Sequence, residues 1–103
     1  MYEISQTDKF REWLGNLRDK VAKGSIVRRI ERLAEGNFGD SKSVGDNVFE
    51  LRIDCGQGYR VYFTNIGNKI VFLLLGGNKS TQSSDIKAAK YIAKEVINGV
   101  VKV

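Results

Sequence analysis

The sequence predicts one α+β domain with an N-terminal strand, a helical hairpin, a three-stranded antiparallel meander and a C-terminal helix. Three observations lead to this class. Apolar side chains recur at helical spacing over residues 10–34, alternate or run together as in strands over 49–75, and return to helical spacing over 83–98. A chain of 103 residues supports one core, so we treat residues 1–103 as a single domain.

The first third of the chain predicts a strand and two helices. Tyr2–Gln6 suits a short strand, and apolar residues from Phe10 to Val21 follow at helical spacing, after Thr7 or Asp8 as a cap. Gly24–Ser25 predicts a break, with Ser25 as the cap of a second helix. In that helix the apolar stripe excludes Arg28, Arg29 and Arg32 and consists of Ile26, Val27, Ile30, Leu33 and Ala34.

The remainder predicts three strands and a helix. Residues 36–47 are expected to form a loop, because they include three glycines. Phe49–Asp54 and Tyr59–Thr64 alternate with period two, and Gly56–Gly58 lies between them as a turn. After a turn at Gly67–Asn68, the run Ile70–Leu75 is apolar on both faces, which is typical of a central strand. The last helix is expected to bury Ile86, Ala89, Ala93, Val96 and Ile97 and to stop at Gly99.

Composition predicts a cytoplasmic protein. The longest apolar run has six residues, too few to cross a bilayer, and residues 1–10 lack the apolar core of a signal peptide. One cysteine, Cys55, cannot form an internal disulfide. With no histidine and no close grouping of cysteine and carboxylates, we expect neither a metal site nor a cofactor.

The net charge is +5, and the basic residues concentrate in residues 18–32 and from residue 79 onward. Such clusters favour a polyanion or an acidic partner. They are equally typical of solvated helix faces, and the charge alone leaves both interpretations open.

Four segments carry a family resemblance. These are Gly36–Asp40, Glu50–Asp54 (ELRID), Gly58–Phe63 (GYRVYF), and the run GGNKSTQ at 76–82 with Asp85–Ile86. In this order and spacing they resemble the phage-derived addiction-module killer proteins, which are HigB-like members of the RelE/ParE toxin superfamily. The resemblance implies a RelE-like fold over nearly the whole chain.

The resemblance also implies a function. Such a protein is the toxin of a type II toxin–antitoxin system, a metal-independent endoribonuclease that cleaves mRNA on the ribosome and so inhibits translation. Its partners would be the ribosome, mRNA and a helix-turn-helix antitoxin, with no membrane partner; an acidic antitoxin could dock on residues 18–32. Two alternatives stay open because one fold serves several functions: a ParE-type inhibitor that binds DNA gyrase, and an inactive protein-binding relative.

Matching the motifs residue by residue implies Arg60, Lys79, Arg52 and Asp85 as catalytic residues. The RelE branch has lysines at positions 50 and 52, an arginine at 79 and a tyrosine near 85, so the basic centre is retained better than the proton-transfer groups. Arginines supply charge without moving protons, whereas Lys79 can do either if it is partly desolvated. We expect Arg52, Arg60 and Lys79 to meet on one solvent-facing patch.

A second set of residues is predicted to bind RNA or the ribosome. Tyr62 shares the Arg60 face of its strand and could stack on a base. The other members are basic residues on predicted helices: Lys87, Lys90, Lys94, Arg28, Arg29 and Arg32. Several candidates of both sets have an ordinary structural interpretation as well: packing for Tyr62, a helix cap for Asp85 and a solvated face for the helix lysines.

Overall fold

A computed structural model describes residues 1–99, and it confirms the predicted α+β class. The described elements are β1 (Glu3–Gln6), α1 (Asp8–Gly15), α2 (Lys20–Ala34), β2 (Ser41–Gly45), β3 (Val48–Ile53), β4 (Tyr59–Ile66), β5 (Ile70–Asn78), a 3₁₀ turn (Lys79–Thr81) and α3 (Gln82–Ile97). The strands form one sheet in the order β1-β5-β4-β3-β2, in which only β1 and β5 pair in parallel. None of the helices in residues 1–99 has the length and apolarity to cross a membrane.

The break between the first two helices was predicted at the wrong place. α1 ends at Gly15, and α2 runs from Lys20 straight through Gly24 and Ser25. Asp19 caps α2, because its carboxylate accepts a hydrogen bond from Ala22 N at 3.0 Å. Of the two caps predicted for α1, Thr7 and Asp8, the structure shows Thr7, since its hydroxyl accepts a hydrogen bond from Phe10 N at 3.0 Å.

The start of α2 at Lys20 also changes which side chains are buried. Val21 falls in its first turn and is 72% exposed, and Val27 is 39% exposed, so neither belongs to the core. Ile26 and Leu33, seven residues apart, are completely buried against the sheet. The arginines at 28, 29 and 32 lie off this buried stripe, as predicted.

The segment predicted as a loop contains the edge strand β2. Ser41–Gly45 pairs antiparallel with β3, in the register Ser41 opposite Leu51. Its residues are mostly polar and exposed, so it lacks the apolar alternation that marks a buried strand. The backbone ladder alone defines it.

The sheet separates two apolar layers. Phe10 of α1 and Ile26 of α2 pack with Val61 and Phe63 on one face. Ala89 and Ala93 of α3 pack on the other face, with Tyr62 and Leu74. β4 and β5 are buried on both sides, which confirms Ile70–Leu75 as an interior strand.

An irregularity in β5 changes the phase of that strand. Tyr62 pairs with Leu75 and Phe63 pairs with Leu73, so Leu74 is an extra residue on β5. Leu74 and Leu75 consequently both join the layer under α3. Beyond this bulge Gly76 faces Trp13 of α1, and Gly77 faces Asp85 of α3.

Candidate active site

One cavity of about 190 Å³ lies where β3 ends, β4 begins and β5 ends. We call it the site cavity, and its lining combines three basic with two acidic side chains: Asp40, Arg52, Asp54, Arg60 and Lys79. The structure therefore brings three of the four predicted catalytic residues together, from three separate strands or strand ends.

Pairing of β3 with β4 places Arg52 directly opposite Arg60. Two like charges in this position repel each other unless an anion lies between them. Glu50 supplies that anion from the same face of β3: its Oε1 lies 3.4 Å from Arg52 Nε and 3.8 Å from Arg60 Nε.

Glu50 is completely buried and has donors on both carboxylate oxygens. Its Oε2 accepts hydrogen bonds from Tyr62 Oη at 3.3 Å and from Gln82 Nε2 at 2.7 Å. A buried carboxylate is costly unless it is paired and hydrogen-bonded in this way. Glu50 therefore joins the arginine pair to the first residue of α3.

Lys79 reaches the site cavity because Gly58 has no side chain. Lys79 N donates to Gly58 O at 3.2 Å, and a Cβ built on Gly58 would lie 2.8 Å from Lys79 Cε. Gly58 also has a φ of +79°, a conformation that favours glycine. The aliphatic stem of Lys79 can therefore lie across the turn before β4.

The two carboxylates of the site cavity come from chain segments next to Arg52. Asp54 follows it by two residues, and Asp40 O accepts a hydrogen bond from Arg52 N at 2.9 Å. We did not predict Asp40, because nothing in the apparent loop 36–47 indicated that its backbone joins the ladder of β3. The same holds for Gln82, which contacts the site only through Glu50.

Arg60 and Tyr62 are buried, which corrects two predictions. Arg60 is only 9% exposed, so it lines the cavity from within the fold and does not stand on a solvent-facing strand surface. Its Nε is buried and has no hydrogen-bond partner among residues 1–99. Tyr62 is completely buried, so the prediction that it stacks on a base is wrong. Burial first, and then the charges of Glu50 and Asp85, raise the pKa of Tyr62 well above its ordinary value of 10.0.

Comparison with known proteins assigns the chain to a family. Residues 12–96 match the model of the phage-derived Gp49-like proteins (DUF891). The chain belongs to that family. It is 55% identical over 94 residues to an uncharacterized protein of Haemophilus influenzae, and the match covers 91% of this chain and 95% of the relative.

Solved structures show that this Gp49-like chain has the RelE fold. A mutant of the E. coli toxin RelE in the free state matches with a TM-score of 0.70 and 17% identity, over 88% of this chain and 97% of that one. A chain of the intact E. coli RelBE toxin–antitoxin complex matches with a TM-score of 0.59 and 19% identity, over 76% and 96%. The RelE-like fold implied by the sequence motifs is thus confirmed.

Asp85, the fourth predicted catalytic residue, does not line the site cavity of this Gp49-like chain. It also does not cap α3, because Thr81 holds the cap position and Asp85 lies one turn further on. Its Oδ2 accepts a hydrogen bond from Thr81 Oγ1 at 2.5 Å and lies over Gly77, the register partner of Arg60. Asp85 thus lies next to the β5 partner of Arg60 without lining the site cavity.

The predicted RNA-binding residues fall in two places. On α3, Lys87 and Lys94 are exposed, and Lys90 Nζ lies 3.9 Å from Asp46 Oδ2. Arg28, Arg29 and Arg32 of α2 line a second cavity on the other face of the sheet, together with Ile53 and Cys55. Across residues 1–99, histidine, cysteine and acidic side chains nowhere form a group of three that could hold a metal ion.

Proposed function

We propose that this chain is the toxin of a type II toxin–antitoxin system and that it cleaves mRNA on the ribosome, in the cytoplasm. The observation that carries the proposal is the site cavity, in which Arg52, Arg60 and Lys79 meet two carboxylates. The RelE fold supports it, because E. coli RelE, whose solved structures this chain resembles, is a toxin. Within the superfamily, the sequence motifs favour the HigB-like group.

The cavity suits attack of a ribose 2′-hydroxyl on the adjacent phosphate. That step forms an O–P bond, breaks the bond to the 5′-oxygen and leaves a cyclic phosphate. Charge accumulates on the phosphoryl oxygens, and fixed guanidinium groups stabilise it. Arg60, buried beside Glu50, is held in place for this role, and Arg52 stands opposite it.

Proton transfer falls to the three other groups of the cavity. Asp40 or Asp54 can accept the 2′-hydroxyl proton, and Lys79 can donate to the departing 5′-oxygen. All three side chains are exposed, so an RNA strand can reach them. The ribosome would supply what the site lacks, because holding the RNA in line can contribute roughly 7–11 kcal/mol.

An antitoxin partner is part of the proposal. The RelBE complex contains a toxin of this fold bound to its antitoxin. A net charge of +5 makes an acidic partner favourable, and complementary charge would speed the encounter. The HigB-like motifs point to a helix-turn-helix protein in this role.

Lys79 is the residue with which to test cleavage, because it is exposed and Lys79→Ala leaves Glu50 and both arginines in place. Purified protein is incubated with ribosomes that carry a defined mRNA, and new RNA ends are mapped. We expect Lys79→Ala to lower the cleavage rate about 10²–10⁴-fold, the usual contribution of a positioned general acid. Lys69→Ala is the matched control, since Lys69 is also exposed and precedes β5 at its far end.

Four results would contradict parts of the proposal. If mRNA stayed intact with the wild-type protein, the proposed ribonuclease activity would be contradicted. Inhibition of gyrase supercoiling in a parallel assay would point instead to a toxin that acts by binding gyrase. Equal rates for Lys79→Ala and Lys69→Ala would remove Lys79 from the site. If the soluble chain accumulated in a bacterium without harming it, the assignment of the chain as a toxin would be contradicted.

A further inference from the structure

A second cavity, of about 290 Å³, lies between α2 and the end of β3. We call it the α2 cavity. Three arginines on one side of α2 form its wall, and its other lining residues are Ser25, Ile53, Asp54 and Cys55. It therefore combines a strongly cationic wall with the small apolar surface of Ile53.

The cationic wall is not neutralised by neighbouring carboxylates. None of the ion pairs found within residues 1–99 involves Arg28, Arg29 or Arg32. Arg28 Nη2 makes only a long hydrogen bond, 3.4 Å, to Ser25 Oγ, and Arg29 Nη2 is buried without a hydrogen-bond partner in the described part of the chain. Asp54 is the one carboxylate among the lining residues. The wall is left with an excess of positive charge and free guanidinium donors.

The α2 cavity adjoins the site cavity. Asp54 lines both of them, directly after the last residue of β3. Arg29 makes a second connection, because its Nη1 donates at 2.8 Å to the carbonyl oxygen of Arg52, whose side chain lines the site cavity. A ligand that passes over the end of β3 can therefore contact both cavities.

We propose that the α2 cavity binds a backbone phosphate of the same RNA strand whose reacting phosphate occupies the site cavity. This inference rests on the proposed function and names a second contact for its substrate. Guanidinium groups are suited to phosphate because their N–H donors bind it in pairs. Arg28 and Arg32, which are exposed and one helical turn apart, supply these donors. Arg29 instead fixes α2 to β3 through its hydrogen bond to the carbonyl oxygen of Arg52.

The geometry favours a nucleic acid over an acidic segment of an antitoxin. The volume is at the small end of ligand sites, which run from roughly 300 to 1,000 Å³. A helix with its side chains is roughly 10–12 Å across, too wide to enter such a space. A polynucleotide also places its charges at a regular spacing along one strand, which fits two adjoining cationic cavities.

The chain carries its own reporter of occupancy. Cys55 is the single cysteine, has a free thiol, is half-buried and lines the α2 cavity. A phosphate bound there would block access of a small alkylating reagent to its sulfur. The rate at which iodoacetamide modifies Cys55, followed by mass spectrometry, therefore measures occupancy without any cleavage.

The test compares single-stranded RNA of two and of eight nucleotides, with a 2′-O-methyl backbone to prevent cleavage. At ten times its dissociation constant, the octamer should slow alkylation about tenfold, because only the free protein reacts. The dinucleotide has a single internucleotide phosphate and cannot place one in each cavity, so it should protect weakly. Arg28→Gln/Arg32→Gln should abolish protection and lower the salt dependence of octamer binding by up to about 0.7 per lost contact.

The control is Arg11→Gln/Lys69→Gln, which removes the same charge from two exposed positions outside both cavities. It should keep the protection. Absence of protection by the octamer, or equal protection in both double variants, would overturn the inference. Equal protection by poly-glutamate would also overturn it and would assign the cavity to an acidic polypeptide. Cleavage on ribosomes is measured in a separate assay, so a lack of cleavage would contradict the proposed function without affecting the measurement of RNA binding at the α2 cavity.

Discussion

The Glu50 carboxylate makes a sharp prediction about stability. In Glu50→Gln the shape is retained and the charge is lost. The amide oxygen can still face the arginines, and the amide nitrogen can face Tyr62 and Gln82, which are able to turn and accept. Arg60, only 9% exposed, then loses its one carboxylate partner within residues 1–99.

The size of the effect follows from this geometry. Removing one member of a buried ion pair costs about 3–5 kcal/mol. We expect about 3 kcal/mol, the low end of that range, because the Arg60 pair is long at 3.8 Å and the Arg52 side chain is 38% exposed. A domain of this size changes its melting temperature by roughly 4–8 °C per kcal/mol, so the fall should be roughly 12–24 °C.

Urea unfolding, followed by the fluorescence of the single tryptophan, Trp13, measures the loss directly. Glu35→Gln is the control, since that carboxylate is exposed at the end of α2 and should change the free energy by no more than about 0.5 kcal/mol. A double-mutant cycle with Arg60→Gln gives the coupling between the two groups. If Glu50→Gln matched Glu35→Gln, Glu50 would not be holding the arginines.

Three further predictions concern single positions. Tyr62→Phe should lose less stability than wild type as the pH rises above 10. The raised pKa of Tyr62 means that its phenol ionises in the unfolded state before the folded state, which costs the wild type at most about 1.4 kcal/mol per pH unit. Denaturation at pH 8 to 11 would measure the difference. Gly76→Ala should cost about 1–3 kcal/mol in urea unfolding, because its Cβ would lie 2.2 Å from the Trp13 ring, whereas Gly15→Ala has open space. Gly58→Ala should displace Lys79 and reduce mRNA cleavage as Lys79→Ala does. Normal cleavage by Gly58→Ala would contradict the inference that Lys79 needs a glycine at position 58.

Local patterns were sufficient for most of the fold. The strands β3, β4 and β5 carry alternating or continuous apolar residues, and α3 carries an apolar stripe, so each is visible in a short window. The edge strand β2 was not predicted, because an edge strand needs no buried side chains. The helix break was misplaced because the pair Gly24–Ser25 looks like a stop, although Ala22 and Ile26 on either side of it are buried against the sheet.

The site was predictable only in part, because it depends on contacts between distant segments. The motifs indicated Arg52, Arg60 and Lys79, which the structure places around one cavity. They did not indicate that Glu50 would lie between the arginines or that Arg60 would be buried, since both facts follow from cross-strand register and from the packing of α3. Tyr62 was misjudged for the same reason: α3 covers the face that the alternation assigned to solvent.

Because β5 contains an extra residue, the number of residues in this strand, more than their types, decides which face of the sheet its last residues occupy. Leu74 and Leu75 share one layer, so residues after them occupy the opposite face from the one that simple alternation would assign. Loss of one residue between Leu73 and Lys79 would turn Gly77 toward the helices α1 and α2 and would carry Lys79 away from the arginines. During divergence, the residue types at 74 and 75 can therefore change among apolar side chains, while the number of residues before Lys79 has to stay the same.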